Sequence, residues 1–116
     1  MIHYMELNPQ PFYQMACGVK TIELRLNDEK RQNIKINDII LFSNVSNQNE
    51  QITVRVVNLY NYCNFVELYQ ALPLDKCGYS TQQLFNASPK DMEVYYSIEK
   101  QNKYGVLGIE VQLMNM

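Results

Sequence analysis

The side chains best placed to do chemistry gather in one short stretch, Gly18-Val19-Lys20-Thr21-Ile22-Glu23-Leu24-Arg25. In an extended strand Thr21, Glu23 and Arg25 share one face and Ile22, Leu24 and Leu26 the other, because side chains alternate with period two. Lys20 stands at the hinge between glycine and strand, so its direction is left open. Its ammonium could hold a phosphate or carboxylate, or act as a base if partly desolvated. The competing reading is an exposed strand-edge lysine. Glu23 and Arg25 could form an exposed intrastrand ion pair, worth only ~0–1 kcal/mol. Alternatively Glu23 accepts from the amino edge of a base or serves as a general base, while Arg25 keeps it charged or binds phosphate. Thr21 offers a hydroxyl nucleophile, yet no base partner is visible in the sequence and a β-branched threonine is simply a good strand residue.

Other residues could join such a site. His3, the single histidine, alternates with Met5 and Leu7, which favours a hydrogen-bonded, half-buried core histidine over a cleft acid or base. Nine tyrosines and no tryptophan leave Tyr60, Tyr96 and Tyr104 as candidates to stack on bases, with Tyr104 foremost because it precedes Gly105. The three cysteines, Cys17, Cys63 and Cys77, form no Cys-x-x-Cys pair and read as small buried hydrophobes. With one histidine and this cysteine spacing, no metal site and no cofactor is expected.

The rest of the chain must position these groups. Its 116 residues suit one domain spanning residues 1–116, able to bury roughly 65% of the surface its unfolded form exposes. No apolar run approaches the ~20 residues needed to span a bilayer, and the first residues lack the pattern of a signal peptide, so a cytoplasmic protein without membrane attachment is expected. A net charge of −2 excludes a broad cationic nucleic-acid surface, although five of the ten Lys and Arg residues fall between Lys20 and Lys35 and allow a small basic patch.

Residues 2–7 alternate as a strand. Asn8-Pro9 opens a helix with Phe12, Met15 and Ala16 inward, and Gly18 ends it. Asn27 to Arg31 reads as a capped helical turn. Residues 39–42 and a strand from Ile52 to Tyr60 flank a polar hairpin tip over 43–51 and pair antiparallel. Asn64-x-x-Glu67, Ser80-x-x-Gln83 and Ser88-Pro89-x-Asp91 each open a short helix. A closing strand is expected from Lys103 to Leu113, with Leu107, Ile109 and Val111 on one face. Five or six strands with short helices among them indicate an α+β fold whose mixed sheet curls toward a small β-barrel.

The stretch Gly18-x-Lys20-x-x-Glu23-x-Arg25 resembles the fingerprint of the ASCH domain family, a branch of the PUA-like superfamily. The resemblance extends through Pro11-Phe12, Phe65-x-Glu67-Leu68-Tyr69, Cys77-Gly78-Tyr79, Ser88-Pro89-x-Asp91-Met92, Tyr95-Tyr96 and Tyr104-Gly105-Val106. It implies a PUA-like barrel with a cleft beside the fingerprint that binds single-stranded RNA or a nucleotide. The residues lining it would be His3, Lys20, Thr21, Glu23, Arg25, Tyr60, Tyr96 and Tyr104. It also implies an alternative: a hydrolase acting on RNA or on a modified nucleoside such as acetylated cytidine, with Lys20 and Glu23 in catalytic acid–base roles. In the amidohydrolase relatives a threonine nucleophile occupies the position held here by Glu23, and a second carboxylate falls near Asp75, an approximate match. That departure favours the binding reading. The sequence names neither the ligand nor any protein partner.

Overall fold

The computed structural model describes residues 1–114. In chain order it contains β1 (Ile2–Leu7), α1 (Pro9–Ala16), β2 (Ile22–Leu26), β3 (Ile39–Asn44), β4 (Asn47–Tyr62), α2 (Phe65–Ala71), α3 (Ile98–Tyr104) and β5 (Val106–Leu113). Short 3-10 turns punctuate the loops at Arg31–Asn33, Leu74–Cys77, Gln83–Asn86 and Pro89–Val94. The strands form one mixed sheet in the order β1-β3-β4-β5-β2. The β1–β3 pair is parallel and the other ladders are antiparallel.

β4 carries the curl. Its 16 residues pair first with β3 and then with β5, and its register with β5 shifts between Val56 and Asn58. Such a shift bends the strand and increases its twist. The bend brings the two sheet edges, β1 and β2, toward each other without a ladder between them. Arg25 on β2 spans the gap and donates through Nη2 to the Glu6 carbonyl of β1 at 2.7 Å. The fold is therefore an α+β half-barrel with short helices.

Alternation along the strands builds a core on each face. On one face Met5, Phe42, Val54, Val56 and Ile109 pack with Phe12 and Met15 of α1. On the other, Ile22, Leu24 and Val106 pack with Phe65 and Leu68 of α2 and with Cys77. Cross-strand pairing places Glu23 opposite Ile109 and Arg25 opposite Leu107, so both polar residues of the fingerprint point to the first face, among apolar neighbours.

Several expectations are corrected. Lys103 and Tyr104 end a helix, Ile98–Tyr104, rather than start the closing strand: the Ser97 side chain accepts from the Lys100 N–H, and Gly105 ends the helix at φ +73°. Its tyrosine–glycine–valine exit disguises it, since β-prone residues follow at once. The Ser80 and Ser88 caps form, but they open 3-10 turns rather than α-helices. The hairpin tip shrinks to Val45-Ser46, because the buried Asn44 side chain accepts from the Ser46 N–H and donates to Glu50. Ala16, expected inward, is exposed at the end of α1. Cys17 and Cys63 are exposed and only Cys77 is buried; Cys17 caps α1 and Cys63 sits in the turn before α2, positions set by the backbone and not by the core.

Candidate functional site

The local sequence around Gly18 aims Lys20 inward. Gly18 adopts φ +84°, which a glycine takes without steric penalty, and the following N–H groups of Val19 and Lys20 both donate to the Gln14 carbonyl, at 2.9 and 3.0 Å. The Thr21 N–H then bonds the Lys76 carbonyl at 2.9 Å, clamping the segment to the turn Leu74–Cys77. Gly78 follows that turn at φ +110°, and a Cβ there would lie 3.5 Å from Lys20 Cδ and 3.2 Å from Gln14 Oε1. Lys20 thus runs beneath a backbone that carries no side chain.

Its ammonium ends 2.9 Å from Glu23 Oε1, and Arg25 Nε donates to Glu23 Oε2 at 2.6 Å. The side chains of Lys20, Glu23 and Arg25 are only 9%, 6% and 16% exposed, far from the exposed pair that sequence alone allowed. Burial pushes the Glu23 carboxyl upward, but Lys20 and Arg25 outweigh it and hold the group below its usual value. Burial likewise opposes the Arg25 charge, while Glu23 and then Tyr96 favour it and the net shift is upward. Two cations against one carboxylate leave the trio with a net positive charge. Glu23 occupies one of the three donors of Lys20, and among the described residues no other acceptor takes a second.

The trio lies along a cleft of about 620 Å³, within the size range of small-ligand sites. Gln14 of α1 and the Cys77-Gly78 turn line it beside Lys20, and Tyr69, Tyr79, Tyr95 and Tyr96 form an aromatic wall with Met92. Tyr96 stacks against Phe65 at 6.1 Å and 19°. The Tyr69 and Tyr79 hydroxyls are 2.6 Å apart, and Tyr79 donates to Asp91 Oδ2 at 2.7 Å. Burial raises the Tyr69 pKa to about 12. Burial raises Tyr79 as well, and its bond to Asp91 adds to the shift.

Of the residues singled out in the sequence, the structure brings Lys20, Glu23, Arg25 and Tyr96 together and leaves four elsewhere. His3 lies 2.8 Å from Asp38, which also meets the N-terminal ammonium at 3.3 Å; this is the hydrogen-bonded, half-buried histidine its alternation favoured. Thr21 precedes β2 instead of lying within it, and borders a separate open groove that also contains Asp75. Tyr60 donates to Glu110 at 2.7 Å on β5. Tyr104 ends α3 beneath the Lys103 ammonium, 5.0 Å from its ring centre. The basic cluster divides: Lys20 and Arg25 line the cleft, whereas Lys30 and Lys35 are exposed outside it. Arg31 is close enough to Arg25 that burial, and then Arg25's like charge, depress its pKa.

Tyr69, Tyr79, Asp91 and Gln14 were not singled out as site residues. The Cys77-Gly78-Tyr79 run held a usable signal, a glycine beside a tyrosine just after a turn, while Tyr69 and Asp91 were absorbed into helix and cap patterns. Among the described residues no helix is long and apolar enough to cross a membrane.

The ASCH domain family model matches residues 5–115. The hypothetical protein PH0355 shares 29% identity, with a TM-score of 0.81, 98% of this chain covered and 100% of that one. Protein PF0455 from Pyrococcus furiosus also shares 29% identity, with a TM-score of 0.72 and both chains covered in full (100%). ASCH from Zymomonas mobilis matches at 11% identity and a TM-score of 0.68, over 99% of this chain and 73% of that one; at that identity the likeness concerns the fold, which is the PUA-like curled sheet. No curated protein matches the chain in sequence.

Proposed function

This chain belongs to the ASCH domain family, and from that premise we propose that it binds single-stranded RNA or a nucleotide in the cleft beside Gly18-x-Lys20-x-x-Glu23-x-Arg25. The observation that carries the reading is the buried Lys20–Glu23–Arg25 trio set against a wall of tyrosines. A nucleotide has the complementary halves: an anionic phosphate for Lys20 and the outer guanidinium, and a planar base for Tyr95 and Tyr96. Arg31, near Arg25 but absent from the ion pairs found among the described residues, extends the positive potential toward a following phosphate.

The same geometry weighs against the hydrolytic alternative. A general base needs a free lone pair and a pKa near the working pH. Glu23 keeps lone pairs beyond the two that Lys20 and Arg25 engage, but those cations hold its pKa below the usual value, which makes it a weak base. Lys20, tied to that carboxylate, is a better anchor for an anion than a proton shuttle.

Fluorescence anisotropy with a labelled short single-stranded RNA at low salt tests the proposal. Binding should weaken at least tenfold in Lys20→Met, and log K should fall with log salt by roughly 0.7 per phosphate held. Equal affinity in wild type and Lys20→Met, or no binding by the wild type, would refute it.

A further inference from the structure

We propose that Tyr69 is a specificity-determining residue of the cleft, presenting an obligate hydrogen-bond acceptor that selects a base bearing an exocyclic amino group over one bearing a carbonyl there. The inference rests on the nucleotide-binding reading above and deepens it from a nucleotide to a class of nucleotide.

Asp91 Oδ2 accepts from the Ser88 N–H at 3.2 Å and from the Tyr79 hydroxyl at 2.7 Å. An oxygen that receives two donors is an acceptor, so the single Tyr79 proton is committed to Asp91. The Tyr69 and Tyr79 oxygens are 2.6 Å apart, a separation that requires a proton between them. Tyr79 has none left to give, so Tyr69 must donate to Tyr79. The Tyr69 oxygen then has no proton for a ligand and offers only lone pairs.

The Ser88 capping box fixes this polarity. Asp91 caps its own turn, and the 3-10 segment Pro89–Val94 holds it in place, so the chain Tyr69 to Tyr79 to Asp91 cannot reverse without setting the Tyr79 and Asp91 oxygens lone pair against lone pair. The same cleft presents donors, Lys20 and Arg25. It therefore combines donors suited to phosphate with an acceptor point among its tyrosines. A carbonyl directed at Tyr69 would set lone pair against lone pair; an amino group would complete the chain.

Calorimetric titration with cytidine, uridine, adenosine and inosine 5′-monophosphates tests this, because each pair exchanges an amino group for a carbonyl. Cytidine and adenosine monophosphates should bind about tenfold more tightly than their carbonyl partners, the effect of one satisfied against one opposed hydrogen bond. Tyr69→Phe should abolish that preference. Tyr79→Phe should release the Tyr69 proton and tighten uridine and inosine monophosphates severalfold, an outcome a merely structural role would not produce. Equal binding of the amino and carbonyl members, or a preference that survives both substitutions, overturns the assignment of Tyr69. Failure of all four nucleotides to bind overturns the nucleotide reading itself.

Discussion

Glu23→Gln exposes what holds the cleft together. The substitution keeps the shape of the side chain but removes the only negative charge that, among the described residues, is in contact with Lys20 and Arg25, at 2.9 and 2.6 Å. A glutamine can turn its oxygen to one cation, and its amide N–H groups must then face the other. With all three side chains at least four-fifths buried, water compensates little. Breaking a buried ion pair from one side costs roughly 3–5 kcal/mol because a buried charge is left without its partner. For a chain of this size that is a fall in Tm of about 12–20 °C, near 4 °C per kcal/mol. Urea unfolding and thermal melting give the number directly, and a double-mutant cycle with Lys20→Met isolates the coupling. Removing one cation as well as the carboxylate should recover part of the loss. The two unmasked cations of Glu23→Gln should also bind phosphate more tightly than wild type when assayed well below the melting temperature. A loss under about 1 kcal/mol, typical of an exposed pair, would refute the picture of a buried carboxylate between two cations.

Other perturbations test separate joints of the structure. Gly78→Ala adds a Cβ at φ +110° within 3.2 Å of Gln14 Oε1 and 3.5 Å of Lys20 Cδ; it should cost about 1–2 kcal/mol in urea unfolding and weaken ligand binding by displacing Lys20. Arg25→Lys cannot reach Glu23 and the Glu6 carbonyl together, since a single ammonium lacks the guanidinium fork; hydrogen exchange should then quicken along the β1 edge, where the bridge lands. Asp38 is held at about 2, below its ordinary 3.8, first by the hydrogen bond from His3 and then by the Lys35 N–H. A lowered carboxyl pKa contributes stability above its unfolded value and loses it as pH falls through the folded one. Tm should therefore drop between about pH 4 and pH 2, and Asp38→Asn should flatten that limb.

Local rules made much of the fold legible. Period-two alternation marked β1 and β4, a short apolar run marked β3, and the Asn8-Pro9 and Asn64-x-x-Glu67 patterns marked α1 and α2. The fingerprint located Lys20, Glu23 and Arg25. Their burial was hidden, because it depends on the bend in β4 that swings β2 toward β1, and on Gly78, which lies 58 positions beyond Lys20 and leaves room for its stem. Helix α3 was hidden for a different reason: its seven residues, IEKQNKY, show no clear apolar stripe, and the tyrosine and glycine at its end read as strand. The aromatic wall was legible only as an abundance of tyrosine. Which of the nine meet in space is decided by the 3-10 turns between Leu74 and Val94, whose path no periodic pattern encodes. Tyr104 was chosen for its neighbour Gly105, which serves instead to end a helix.

In the proposed reading the cleft, and not the exposed basic stretch after β2, receives the ligand. Chemical-shift mapping of the isotope-labelled protein during titration with a short single-stranded RNA tests it most directly. Shifts should concentrate at Gly18 to Arg25, Cys77 to Tyr79 and Met92 to Tyr96, and be absent from Lys20→Met at the same RNA concentration. Shifts confined to Lys30 through Lys35, with the cleft amides unmoved, would contradict it.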